Sequence, residues 1–152
     1  MAGPAGGPLK RAGLLLAVLL AAAPVLAGAQ GEDGSLTVAF DGIGKREGVV
    51  LVALFDGKAA YDTNVGPVRT LILPASAGNF SVTLADLAPG TYAVKSFHDR
   101  DANGKMSFNP LGMPLEPYGF SNNARAPFGP PPWRRAVFEV QPGGNGQTIR
   151  LH

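Results

Sequence analysis

The sequence predicts an all-β fold: a seven-stranded Greek-key sandwich, immunoglobulin-like or prealbumin-like, with one long ordered loop. Seven short segments either alternate apolar and polar residues or are apolar on both faces. Turns rich in glycine and proline separate them, and no segment has the periodicity of a convincing amphipathic helix. This combination is typical of a β-sandwich. The predicted strands cover residues 35–40, 49–55, 68–73, 80–84, 92–98, 136–140 and 148–151.

The first 29 residues have the pattern of a secretory signal peptide. Lys10 and Arg11 precede an unbroken apolar run at 14–23, and the Ala-Gly-Ala sequence at 27–29 supplies small residues for cleavage. The apolar run is shorter than the roughly 20 residues that a transmembrane helix needs, and a retained N-terminal anchor is the alternative. The chain contains no cysteine, which excludes lipid attachment to a cysteine after the signal. We therefore expect an exported protein, periplasmic or extracellular.

Removal of the signal peptide changes the charge of the protein. The full chain has 13 Lys and Arg residues against 11 Asp and Glu residues. Because Lys10 and Arg11 leave with the signal peptide, residues 30–152 keep eleven of each sign, and we expect them to form a single domain. A neutral domain without a basic face is not expected to bind nucleic acid or anionic membranes. We expect no stable membrane insertion after cleavage, and an unknown protein or small ligand as the partner.

The first four predicted strands differ in how they are buried. Strand 35–40 places its apolar residues on one face, which predicts a half-buried strand. Strand 49–55 is apolar on both faces, which predicts a central strand covered on both sides. A loop with one helical turn follows at 56–66, and strands 68–73 and 80–84 read as a hairpin.

A Pro-Gly turn leads into strand 92–98, which begins with Tyr92. A tyrosine in this place resembles the tyrosine corner of Greek-key sandwiches, in which the phenol bonds back to nearby backbone where the chain crosses between sheets. An ordinary turn before a strand tyrosine is the alternative. Strands 136–140 and 148–151 form a final pair around a glycine-rich turn.

The segment 109–133 has little strand pattern, and so long a loop in a compact domain needs a physical reason. Seven prolines reduce the entropy that it loses on ordering, and burying one large apolar side chain is worth roughly 1.5–3 kcal/mol. We expect the loop to cover the face of Val50, Val52 and Leu54, or the sandwich end beside it. Phe97 needs the same cover, and an exposed apolar patch for a partner protein is the alternative. The apolar side chains expected to pack there are Met106, Phe108, Leu111, Met113, Leu115, Tyr118, Phe120, Phe128 and Trp133.

Oxygen-bearing groups alternate in the loop that follows strand 92–98. Counted from Asp99, they fall at places one, three, five, seven and nine, and Gly104 falls at place six. This order matches a calcium loop, although Pro110 stands where an acidic residue is expected at place twelve, and Glu116 could supply that acid. A stack of Asx-turns without metal is the alternative. The candidate calcium ligands are Asp99, Asp101, Asn103, the backbone carbonyl of Lys105, and Ser107.

Three residues could be arranged on paper as a hydrolase triad: His98, Glu116 and Ser121. The residues around Ser121 are not a nucleophile elbow, because the strand–turn–helix context is missing. We therefore expect no catalytic residues and no certain cofactor, with calcium as the candidate. The predicted function is a binding or structural module of unknown ligand; a carbohydrate-active or hydrolytic enzyme, or a subunit of an envelope assembly, is the alternative. Beside the calcium loop, the predicted binding surface comprises Glu116, Tyr118, Phe120, Asn122 and Asn123.

Several motifs together resemble a known family. They are Phe97-His98-Asp99, Asn103-Gly104-Lys105, Leu111-Gly112, the run from Glu116 to Asn123, the upstream run from Leu87 to Val94, and the Gly-Pro-Pro at 129–131. The pattern is similar to that of the bacterial domain of unknown function 2141, over most of 35–151. The resemblance implies an exported, mainly Gram-negative β-sandwich without an established activity, and it gives no catalytic residues. The family pattern usually has an acidic or amide residue where Ser107 stands, which weakens the calcium hypothesis.

Overall fold

The computed structural model describes residues 2–3 and 32–152 of the chain, and the apolar run and cleavage site of the predicted signal peptide lie outside the described residues. Neither α-helix in the described part is long and apolar enough to cross a membrane. The elements follow one another in the order β1 Gly34–Asp41, β2 Val49–Phe55, α1 Lys58–Thr63, β3 Arg69–Pro74, β4 Phe80–Leu87, β5 Gly90–Asp99, β6 Tyr118–Phe120, α2 Trp133–Ala136, β7 Phe138–Val140 and β8 Gly143–Arg150. The fold is mostly β, with short helices in the connections.

The strands form two sheets. The smaller sheet has the order β4-β1-β8, and β1 runs parallel to β8 but antiparallel to β4. The larger sheet has the order β3-β2-β5-β6, and β7 pairs with the beginning of β5, next to β6. β5 therefore lies at the centre of the larger sheet and carries the chain into the long loop at its end.

The main core lies between the two sheets. β1 contributes Leu36, Val38 and Phe40, which alternate along the strand and are fully buried. β2 contributes Val50, Val52 and Leu54, which belong to the same buried cluster. Because side chains alternate between the faces of a strand, the other residues of β2 point to the outer face of the larger sheet.

The predicted tyrosine corner is confirmed. The chain leaves β4 in the smaller sheet and enters β5 in the larger sheet within three residues. At the start of β5, the hydroxyl group of Tyr92 donates a hydrogen bond to the carbonyl oxygen of Ala88 at 2.7 Å. Burial raises the pKa of this phenol above its ordinary value, with a further contribution from the charge of Asp56.

The predicted number of seven strands is wrong, because the part of the chain that the structure describes contains eight. The additional strand is β6, which pairs with β5 from inside the segment predicted to be loop. β8 also starts at Gly143 rather than at 148, and α2 takes up the beginning of the predicted strand 136–140. The Greek-key arrangement, immunoglobulin-like or prealbumin-like, stays a prediction.

A second, smaller core lies on the outer face of the larger sheet and holds both α-helices. Its buried residues are Phe55, Tyr61, Ala93 and Ala136. The hydroxyl group of Tyr61 donates to the carbonyl oxygen of Pro131 at 2.9 Å, and its ring meets that of Trp133 edge-on at 5.5 Å. These contacts cover one end of the outer face and leave the rest of that face to the long loop.

Candidate functional site

The outer face of the larger sheet forms the floor of an apolar groove. Leu51 of β2 lies opposite Phe97 of β5, and both side chains are only partly buried. Phe97 therefore shares its face with Leu51. The prediction that Phe97 lies on the same face as Val50, Val52 and Leu54 is wrong. The smaller sheet already covers that triplet, so the first of the two places predicted for the loop is wrong, and the sandwich end beside it stays a prediction.

The loop at 104–115 forms the opposite wall of the groove. Phe108 and Pro114 form an isolated antiparallel bridge, and the carboxamide oxygen of Asn109 accepts the amides of Leu111 and Met113, each at 2.9 Å. The groove has a volume of about 640 Å³. Its apolar lining includes Leu51, Phe97, Met106, Phe108, Pro114 and Tyr118. A volume of this size is in the range of small-molecule sites.

Most apolar side chains of the loop remain exposed, contrary to the expectation from the sequence. Phe120 is buried, and Met106, Tyr118 and Trp133 are partly buried. The exposed fractions of the others are 58% for Phe108, 84% for Leu111, 60% for Met113, 57% for Leu115 and 92% for Phe128. The loop crosses the sheet without filling the space below it, so the groove stays open and an apolar patch remains at its rim.

Two buried carboxylates hold the base of this loop. Asp99 accepts the amides of Asn103 at 3.2 Å and Gly104 at 2.7 Å. Glu116 accepts the amides of Arg100 at 3.1 Å and Ser107 at 2.9 Å, one on each carboxylate oxygen. Hydrogen bonds to a charged acceptor are the stronger kind, so these four amides fix the start of the loop on the end of β5.

The same carboxylates form an acidic cluster that could hold a metal. Oxygen atoms of Asp99, Asp101 and Glu116 lie within 4.8 Å of one another. Glu116 thus reaches the Asp99 loop, where the sequence has Pro110 in place of the expected acid. The interaction with the Asp99 side chain, followed by the hydrogen bond from the Asn103 side chain, lowers the pKa of Asp101 below its ordinary value.

The other candidate calcium ligands take part in turns of the main chain. The carboxamide oxygen of Asn103 accepts the amide of Lys105 at 2.8 Å, and Asn103 also donates to Asp101 at 2.7 Å. The carbonyl oxygen of Ser107 accepts the amide of Leu115 at 2.9 Å. The bonds from the amide of Lys105 to Asn103 and from the amide of Asn103 to Asp101, the latter at 3.3 Å, are Asx-turns, as the alternative interpretation expects. They do not exclude a cation, because an ionised carboxylate has about four lone-pair sites.

The run 116–123 ties the larger sheet to β8. Gly119 lies so close to β8 that an added Cβ would be 2.6 Å from Ile149 Cγ2. Asn122 and Asn123 both have positive φ. Asn122 donates to the carbonyl oxygen of Val137 at 2.8 Å, and Asn123 accepts the amide of Arg150 at 2.8 Å. Of the predicted binding surface, Tyr118 and Phe120 line the groove.

The residues considered for a hydrolase triad each bind the main chain. Ser121 is buried; its hydroxyl group accepts the amide of Val94 at 2.9 Å and donates to the carbonyl oxygen of Ala136 at 2.5 Å. His98 is also buried, and its Nε2 lies 2.7 Å from the carbonyl oxygen of Glu47. These hydroxyl and imidazole groups thus support the backbone around the site.

Lys95 lines the groove and was not among the site residues predicted from the sequence. Its Nζ lies 4.2 Å from the centre of the Tyr61 ring and donates to the carbonyl oxygen of Tyr61 at 2.5 Å. Burial lowers the pKa of Lys95, and the charge of Asp62 opposes this effect. Its place in β5, on the same face as Phe97, was visible in the alternation of that strand.

A smaller, basic pocket of about 180 Å³ adjoins the groove and shares Tyr118, Phe120 and Gly129 with it. Arg125 contributes a guanidinium nitrogen that lies 3.0 Å from Nδ1 of His152. Burial lowers the pKa of His152, and the positive charges of Arg125 and then Arg150 lower it further. This pocket is lined by β6 and by residues that follow it in the chain, and it was not predicted from the sequence.

Residues 38–149 match the family model of DUF2141, which is described as an uncharacterized protein conserved in bacteria. The chain belongs to this family. The match begins within β1 and ends within β8, and it includes the groove, its loop and the acidic cluster. No curated protein and no solved structure matches the chain.

Proposed function

We propose that this DUF2141 protein is a binding module whose ligand site is the apolar groove. The observation that carries the proposal is the open space of about 640 Å³ between the outer face of the larger sheet and the 104–115 loop. Apolar surface left open to water on both walls is costly for a monomer, and such surfaces commonly mark ligand sites. The two carboxylates at the base of the loop support a preformed groove, because they fix its wall before any ligand arrives.

Binding of Nile red, a neutral apolar dye, tests this proposal. Phe108 lines the groove and Phe128 lies outside it, and both are exposed. Phe108→Ser should therefore weaken dye binding about tenfold, since one buried aromatic contact is lost, while Phe128→Ser should leave it unchanged. Equal effects of both substitutions, or no saturable binding to the unmodified protein, would contradict the proposal.

We also propose that the acidic cluster is a weak calcium site that stiffens the loop. The proximity of Asp99, Asp101 and Glu116 supports it, because calcium prefers several carboxylate oxygens. Arg100 and Lys105 lie close to these aspartates in the sequence. Their positive charges should keep the dissociation constant for calcium in the weak range, on the order of 10⁻⁴–10⁻³ M.

Calorimetric titration with millimolar calcium tests the metal proposal. Heat should be released in the unmodified protein and lost in Asp101→Asn, whereas Asp56→Asn, an exposed aspartate outside the cluster, should behave normally. No heat and no shift of the melting temperature in the unmodified protein would retire calcium.

We further propose that the domain works after export, in the periplasm or outside the cell. The support is the pattern of residues 1–29 and the absence of cysteine from the sequence. A partner there would be a small ligand or a protein that presents an apolar group to the groove.

A further inference from the structure

The groove contains a lysine, Lys95, that forms no ion pair within residues 32–152. Its charged lining residues are Lys95 and Asp62. Asp62 forms an ion pair with Lys58, one helical turn away in α1. Within residues 32–152, the ion pairs are that one and Lys45 with Glu47, so no carboxylate of this part lies within 4.0 Å of Lys95 Nζ. Lys58, Asp62 and Lys95 together therefore leave one net positive charge at this wall of the groove.

Aromatic rings and one carbonyl hold this ammonium group at the wall. Nζ of Lys95 lies 5.3 Å from the centre of the Phe55 ring and 4.2 Å from that of Tyr61. Only the carbonyl oxygen of Tyr61 accepts a hydrogen bond from it among the described residues, at 2.5 Å. An ammonium group has three donors, so two are not used in hydrogen bonds to the described residues. The ammonium group therefore has fixed neighbours and still has unused hydrogen-bonding capacity.

We propose that the groove binds a fatty acid, with the carboxylate at Lys95 and the unbranched chain over Leu51 and Phe97. This inference rests on the proposed function. A single carboxylate matches the one free positive charge, and a neutral chain matches the apolar walls. A phosphate group would bring more negative charge than Lys95 balances. A peptide would bring backbone groups that the apolar side chains of the two walls cannot satisfy.

The test compares decanoate with decanol, which has the same chain and no charge. The full protein should bind decanoate about tenfold more tightly than decanol, because a charge-assisted hydrogen bond to Lys95 is gained. Lys95→Met, which keeps an apolar side chain as far as Cε and removes the ammonium group, should abolish this preference while decanol binding stays the same. Lys95→Arg, which keeps a positive charge at this position, should retain the preference for decanoate. Lys105→Met is the matched control, since Lys105 is exposed and outside the groove lining.

The outcomes separate this inference from the proposed function. Equal binding of decanoate and decanol to the unmodified protein would overturn the fatty-acid assignment and leave an apolar site. A preference for decanoate that survives in Lys95→Met would overturn it as well. Binding of neither molecule, together with no binding of Nile red, would overturn the proposed function itself. Loss of decanol binding in Lys95→Met with normal binding in Lys95→Arg would assign Lys95 to the structure of the groove and overturn its role as a partner of the carboxylate.

Discussion

Replacing Glu116 should open the loop at its base. Both oxygens of this buried carboxylate accept main-chain amides, from Arg100 and Ser107. A hydrogen bond to a charged group contributes about 1.5–3 kcal/mol, so Glu116→Ala, which loses two such bonds, removes roughly 3–6 kcal/mol from the contacts that close the loop. Because the freed amides can reach water when the loop opens, most of this loss should appear as local opening rather than as global unfolding.

Amide hydrogen exchange measures the opening directly. The amides of Arg100 and Ser107 should exchange at least about a hundredfold faster in Glu116→Ala, since 1.4 kcal/mol corresponds to a factor of ten. Glu116→Gln keeps one acceptor oxygen and places an NH₂ group against the second amide, so its effect should be roughly half as large in free energy. Glu139→Gln, an exposed glutamate on β7, is the control. Unchanged exchange at both amides in Glu116→Ala would refute the assignment of Glu116 to the loop.

Three further predictions concern stability and processing. Burial raises the pKa of Tyr61 to about 12, so the folded protein keeps a proton that the unfolded chain loses above pH 10. The free energy of unfolding should therefore fall by roughly 2–3 kcal/mol between pH 10 and 12. Denaturant unfolding of Tyr61→Phe at the same pH values should not show this decrease. Gly48 has φ of +73°, and an added Cβ would lie 2.1 Å from the carbonyl oxygen of Asp99. Gly104 has a similar φ but open space around it, so Gly104→Ala should lower the free energy of unfolding in urea by about 1 kcal/mol. Gly48→Ala should lower it by more, and equal losses would contradict the close contact at Gly48. Mass spectrometry of the exported protein should find Gln30 as its first residue, and an intact leader would contradict cleavage.

The alternation of apolar residues predicted much of the sheet structure. β1, β2 and β5 lie close to their predicted bounds, because each has a face that must be buried. β6 was missed because it has only three residues, Tyr118 to Phe120, and a glycine at its centre. That glycine is there because β8 approaches it closely, which is a long-range contact that a local pattern does not contain. The strand β8 begins in a glycine-rich run that local propensity assigns to a turn.

The sequence predicted the composition of the candidate site better than its packing. The order of polar residues after β5 predicted a turn rich in side-chain oxygen, and Glu116 was considered as the missing acid; the structure brings it there. The apolar content of the loop predicted burial, but burial needs a surface at the right distance. Phe108 and Met113 stay exposed because the loop stands above Leu51 and Phe97 rather than on them. Lys95 acquires its surroundings from Tyr61, 34 residues away in sequence.

The methionine methyl groups provide the most direct test of the groove. Met106 lines it and is partly buried, whereas Met113 lies on the same loop, is 60% exposed and is not part of the lining. With methyl-labelled methionine, titration with decanol should shift the NMR signal of Met106 in a saturable way and leave that of Met113 unchanged. The substitution Met106→Leu assigns the signal. A shift of Met113 alone, or no saturable shift of Met106, would contradict a ligand site between the loop and the larger sheet.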